Sequence, residues 1–196
     1  MLCALAKKYG VDKCPAIFHS YTPAYDAILQ SKRQTIQKVV EIGIGYPEMM
    51  APIVGPSYRP GASLRMWRDY FPNAQIIGCD IRRSVFFQEA RISCRMLDQS
   101  DTVSLEGLKD SLGAADLIID DGSHEPAHMK LSFQILWDII TPGGLYIIED
   151  IRRKDLEEFI NLQGLFTDCS VIYSHNGRTE WDSFVCYKKD PTSSKE

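Results

Sequence analysis

Lys38-Val39-Val40-Glu41-Ile42-Gly43-Ile44-Gly45 is the stretch on which the fold turns. A short β-branched run stopped by two glycines is the pattern of a buried strand that turns sharply toward a helix. Outward from it, Gln75 to Asp80 reads as a second strand, Arg91 to Leu97 as a third and Asp116 to Asp120 as a fourth. Leu145 to Ile148 reads as a fifth, behind the turn Pro142-Gly143-Gly144. Helical spacings lie between them. Leu64, Trp67 and Phe71 share a face that Pro72 ends, and Leu105, Leu108 and Leu112 share another that Gly113 closes. Met129, Phe133, Leu136 and Ile140 follow Pro126, a residue that suits a first helical turn. Tyr46 to Gly61 reads as a Pro/Gly-rich loop, and Lys154 to Leu162 as a charged helix. Cys169 to Tyr173 and Ser183 to Tyr187 look like an antiparallel pair with its turn at Asn176-Gly177. Strands alternating with helices predict an α/β fold: a Rossmann-like, mostly parallel sheet with a C-terminal antiparallel pair and helices on both faces.

The 196 residues fit one domain, expected over 1–190 with residues 1–36 as an N-terminal cap or lid and 191–196 as a disordered tail. A net charge of −4 and no basic run argue against nucleic acid and anionic membrane surfaces as partners. Six cysteines without CxxC spacing, several inside apolar runs, read as small buried hydrophobes. No signal peptide or long apolar stretch is seen, so a cytoplasmic setting is expected. The chain begins almost directly in ordered-looking sequence, which leaves open an excised module of a longer polypeptide.

In an open parallel sheet, ligands bind outside the carboxyl ends of the strands. Four of those ends carry acidic or glycine residues. Gly43 and Gly45 let a ligand approach the backbone, although tight turns use glycine for steric reasons too. Asp80 is placed to accept both hydroxyls of a ribose; the plain alternative is a solvated loop carboxylate. Asp98-Gln99-Ser100 meets an adenine edge or caps the next helix. The densest end is Asp120-Asp121-Gly122-Ser123-His124, with Glu149-Asp150 after the neighbouring strand. So many ionisable groups repel and desolvate at real cost unless something positive binds them. Carboxylates without cysteine form a hard oxygen site, which selects Mg²⁺, Mn²⁺ or Ca²⁺ over zinc. His124, three residues past Asp121, carries the side chain best matched to taking a proton near neutral pH. Helix capping plus a solvated acidic pair would explain one or two of these residues, not all.

At this point the sequence resembles class I S-adenosylmethionine-dependent methyltransferases, with Glu41 to Gly45 as the first motif and Asp80 as the second. More narrowly it resembles the macrocin, mycinamicin and rhamnosyl sugar O-methyltransferases. The stretches that carry this are Lys8 to Lys13, Tyr21 to Tyr25, Ser63 to Trp67, Asp98 to Asp101, Asp120 to His124 and Gly143 to Asp150. The resemblance implies magnesium (or manganese) on Asp121, Glu149 and Asp150, with His124 as base and Asp121 beside it in catalysis. It also implies S-adenosylmethionine among Glu41, Gly43, Gly45, Asp80, Asp98, Gln99 and Asp120, with Tyr21 and Thr22 helping to close that site. Tyr46-Pro47 stands where a third glycine is common, so Ser63 becomes the candidate for holding the methionine end. Arg152-Arg153 departs from the family's aromatic, polar segment, which puts the acceptor in doubt. A deoxyhexose hydroxyl such as rhamnose, on a glycan or natural product, is the acceptor so implied. A homo-oligomer, or a place within a larger glycan-building polypeptide, is compatible with this. Against it stand a catechol- or phenol-type O-methyltransferase, a non-catalytic cofactor-binding module and a nucleotide-dependent oxidoreductase. The last would prefer a full G-x-G-x-x-G.

Overall fold

Each predicted strand is present, and its register shows which residues end together. The computed structural model describes residues 1–175 and 179–193. The turn expected at Asn176-Gly177 and the last three residues of the expected tail lie outside the described residues. The chain divides into two units, Met1–Met96 and Leu97–Glu196.

In the first unit, β1 (Lys38–Ile42), β2 (Gln75–Asp80) and β3 (Ile92–Met96) run parallel in the order β3-β2-β1. Glu41 lies beside Gly78 and Ile42 beside Cys79, which brings the ends of β1 and β2 level. α1 (Leu2–Tyr9), α2 (Tyr21–Leu29) and α4 (Ala62–Tyr70) supply the helical layer. Trp67, Tyr70 and Phe71 are fully buried, with Tyr25 packed 6.1 Å from Trp67 between ring centroids. The N-terminal segment is thus part of this unit's core, since Leu2, Tyr21, Tyr25 and Leu29 lose all exposure.

The stretch from Tyr46 to Gly61, expected as a loop, contains a helix, α3 (Pro47–Val54). Pro47 occupies its first turn, where a missing N–H costs nothing and the fixed φ is already helical. Pro52 lies inside it and removes a ladder hydrogen bond. Two prolines therefore read as breakers, while burial of Met50 holds the helix in place.

In the second unit, β4 (Ala115–Asp120) pairs in parallel with β5 (Ile140–Ile148), and β7 (Ser183–Lys189) lies antiparallel to both β5 and the outer strand β6 (Cys169–His175). α5 (Thr102–Leu112), α6 (Pro126–Leu136) and α7 (Leu156–Asn161) accompany them. Phe133 anchors α6, its ring 4.1 Å from Tyr187 and 5.2 Å from Tyr146. Ile140, expected on the helix, begins β5, and the charged helix is shorter than expected, flanked by 3-10 turns over 153–155 and 162–165. All six cysteines are free thiols, and among the described residues no helix is long and apolar enough to cross a membrane.

An ion cluster ties α1 to α4. Lys8 (2.9 Å) and Arg68 (3.0 Å) both reach the carboxylate of Asp69, and the Tyr9 hydroxyl donates to it. Burial alone would raise the Asp69 pKa, but the bonds from Tyr9, Lys8 and Arg68 outweigh it and hold the group at about 2. A carboxylate depressed in the fold contributes stability above its ordinary pKa and loses it as pH falls toward the folded value. Asp69→Asn is therefore expected to destabilise the protein by about 1 kcal/mol near neutral pH, after allowance for solvent screening. The gap to the wild type should close in urea melts between about pH 4 and pH 2. A gap that persists at the lower end contradicts the assignment.

Candidate functional site

In the first unit, the residues expected around a cofactor are placed in two ways. Glu41, at the end of β1, is fully buried and engaged from three directions. Ser63 donates to it at 2.6 Å, the Trp67 indole at 3.1 Å, and the Lys13 ammonium lies 3.8 Å away. The Lys13 carbonyl in turn accepts the amides of Tyr21 (3.1 Å) and Thr22 (3.0 Å), the first turn of α2. Tyr21 and Thr22 are themselves buried, and Thr22 meets the Cys3 thiol at 2.9 Å. So one buried ion pair joins the strand, α4 and the entry to α2. Removing one member of such a pair strands the other charge, and Lys13→Met is expected to destabilise by about 3 kcal/mol, read from chemical denaturation. An unchanged midpoint would remove the pair from the fold's supports.

The loop beyond Glu41 is shaped by its glycines. Gly43 and Gly45 have φ of 94° and 75°. A Cβ on Gly45 would lie 2.3 Å from the Tyr58 hydroxyl, which donates to the Ile44 carbonyl at 3.2 Å. No larger residue fits there. Asp80, half-buried at the end of β2, accepts the amides of Ile44 (2.9 Å) and Arg82 (2.8 Å), one on each oxygen. Each oxygen keeps a further lone pair, so the carboxylate can still receive a vicinal diol.

In the second unit, Asp98 accepts the amide and hydroxyl of Ser100 at 2.9 and 2.6 Å, while the helix cap falls to Asp101, which accepts from Val103. Gln99 is buried, and its amide is a hub. The nitrogen donates to both oxygens of Asp120 (2.8 and 2.9 Å) and to Ser132 (3.1 Å), and the oxygen accepts the Ser123 amide at 2.8 Å. Burial pushes the Asp120 pKa up to about 7 against the lowering effect of Gln99. Gln99 thereby fixes the loop that follows β4.

Past that loop, three of the predicted groups converge. His124 Nε2 stands 3.3 Å from Asp121 and 3.6 Å from Asp150. Ligand atoms of Asp121, His124 and Asp150 all lie within 4.8 Å of one another. Burial works to lower the His124 pKa, but the hydrogen bond to Asp121 and the charges of Asp150, Asp121 and Asp120 prevail and raise it to about 9. His124 and Asp150 both take left-handed backbone, with φ of 55° and 52°. Non-glycine residues held so cluster where geometry serves chemistry. Glu149 is 1% exposed at the end of β5 and does not join this group.

The donor set suits a hard divalent cation. Two carboxylates within reach of one point offer oxygen ligands, and no thiolate is present among them. The imidazole drawn between them shows how strongly the place favours positive charge. His128, on α6, is occupied with Ser123 at 3.2 Å. Sequence reasoning passed over Trp181, whose ring centroid lies 6.3 Å from that of His124. Nothing in its local sequence could have revealed the contact, because it depends on β7 lying beside β5.

No protein-family model matches the chain. It is 39% identical over 168 residues to an 8-demethyl-8-alpha-L-rhamnosyl tetracenomycin-C 2'-O-methyltransferase of Streptomyces olivaceus, covering 85% of this chain and 41% of that one. A mycinamicin VI 2''-O-methyltransferase of Micromonospora griseorubida is 38% identical over 153 residues, 76% of this chain and 36% of its own. Among solved structures, the MycE methyltransferase of the mycinamycin biosynthetic pathway, in complex with Mg, SAH and mycinamycin VI, superposes with a TM-score of 0.73 at 28% identity. That match covers 96% of this chain and 53% of MycE. The chain thus spans about two-fifths of the length of the curated relatives it matches.

Proposed function

We propose that this relative of natural-product sugar O-methyltransferases, built on the class I methyltransferase fold, catalyses S-adenosylmethionine-dependent methylation of a sugar hydroxyl. The acceptor class we favour is a deoxyhexose such as rhamnose, carried on a glycan or natural product, because the tetracenomycin relative is named for that sugar. The observation that carries the reading is the convergence of Asp121, His124 and Asp150 at the ends of β4 and β5. Free thiols throughout fit a reducing, cytoplasmic setting.

S-adenosylmethionine supplies an electrophilic methyl group, and a divalent cation supplies positive charge that lowers the pKa of an acceptor hydroxyl. What the chain contributes is position and proton handling. A sugar hydroxyl is almost wholly protonated at neutral pH, so a base must take its proton as the oxygen attacks. His124 is the group for that task, since Asp121 orients its Nε2 edge and the strained loop fixes its ring. Asp121 and Asp150 would hold the cation through carboxylate oxygens, with Glu149, next in the chain, as the third ligand of the proposal. Asp80 would receive the ribose hydroxyls, and Gly43 and Gly45 would let the cofactor approach the backbone.

The test is S-adenosylhomocysteine release over a panel of methyl rhamnosides, other deoxyhexosides and catechols, with magnesium and with excess EDTA. Turnover of a sugar that stops in EDTA is the expected result. Turnover of catechols alone replaces the acceptor, and full activity in EDTA removes the metal from the scheme.

A further inference from the structure

We propose that the Trp181 indole is the acceptor platform of this site, the surface against which the apolar face of a pyranose lies while one of its hydroxyls meets His124. The inference rests on the proposed activity and names a residue that determines its specificity. Of the three tryptophans, Trp67 and Trp137 are 0% and 1% exposed and serve the cores of their units. Trp181 is half-buried and reaches the surface beside the one strained, charged cluster described above. Its ring is tilted by 47° to that of His124 at 6.3 Å, a glancing contact that does not by itself account for an indole at this place.

The ring is held where it stands. The Arg152 guanidinium lies over it, 4.2 Å from the centroid. The backbone on both sides is tied to the loop that carries Asp150: Ile151 donates to the Ser183 carbonyl at 3.1 Å, and Arg153 to that of Glu180 at 2.8 Å. Trp181 itself donates its amide to the Thr179 hydroxyl at 3.2 Å. The indole therefore keeps a fixed distance from Asp150 and His124, which a platform needs and a surface side chain lacks.

The chemistry matches a deoxysugar. An aromatic face carries partial negative charge, and the C–H bonds of a pyranose present partial positive charge to it. A methyl group in place of a hydroxymethyl makes that face more apolar still. Binding sites of this kind combine an aromatic wall with a few convergent polar groups, here His124, Asp121 and Asp150. The substitution Arg152-Arg153, a departure from the related enzymes' aromatic segment, is thereby given a role: the first arginine braces the indole.

Kinetics of Trp181→Ala and Trp181→Phe, with methyl α-L-rhamnopyranoside as acceptor, test the assignment. The alanine variant is expected to raise KM about tenfold with kcat nearly unchanged, and the phenylalanine variant to restore most of the loss. S-adenosylhomocysteine affinity by calorimetry and the melting temperature should stay at wild-type values in both. Wild-type turnover with an unaltered KM in the alanine variant overturns the platform and leaves the sugar methyltransferase intact. Turnover of catechol alone, with a KM that still depends on Trp181, defeats the sugar reading and retains the platform. If the wild type turns over no acceptor, fluorescence decides. Quenching by the rhamnoside that disappears in the phenylalanine variant upholds the platform, and no quenching overturns it.

Discussion

His124→Gln is expected to lower turnover by roughly a thousandfold while leaving S-adenosylhomocysteine affinity at the wild-type value. Glutamine retains a polar group of similar size but cannot take a proton. The variant therefore separates proton handling from shape. The expectation rests on geometry: the imidazole edge lies 3.3 Å from Asp121 and 3.6 Å from Asp150, so the ring is oriented before any acceptor arrives. Residual activity within about a factor of three of the wild type would mean that no base is needed or that another group supplies it.

The second large effect is expected from Asp121→Asn. This change leaves the volume of the side chain and removes its charge. Binding of Mn²⁺, followed by electron paramagnetic resonance, should weaken by about a hundredfold, and turnover should fall at least as far. A separate reading comes from His124 itself in the metal-free protein. Its pKa of about 9 is held up in part by the bond to Asp121, so the variant's imidazole should titrate at lower pH in an NMR experiment. The sign for stability follows. A histidine raised above its ordinary 6.5 contributes stability below that value and loses it as pH rises through about 9. In the asparagine variant the upper limit of that window moves down. Unaltered Mn²⁺ affinity would exclude Asp121 as a ligand, even if activity fell.

The strands were legible because each is a short β-branched run with a glycine, proline or carboxylate at its end. β2 occupies the predicted Gln75 to Asp80, and β4 ends at the predicted Asp120. The helix α3 was not legible, since Pro47 and Pro52 signal a break and only the burial of Met50 overrides them. Asp121, His124 and Asp150 were visible as a set because they follow adjacent strands, and the strand ends bring them together. The roles of Lys13, Gln99 and Trp181 were not visible. Each acts on residues far along the chain: Lys13 on Glu41, Gln99 on Asp120, and Trp181 beside His124. Hydrophobic periodicity reports which face of an element is buried, and says nothing about which partner a buried polar group will find.

The left-handed backbone at His124 and Asp150 has a consequence for anyone seeking a more heat-tolerant form of the protein. Each position costs about 1 kcal/mol that glycine would return, so a screen scored on melting temperature alone would drift toward glycine at both. Such winners would be sturdier and inert. Robustness in this chain is to be sought elsewhere, and these two residues are the ones to lock before any library is made.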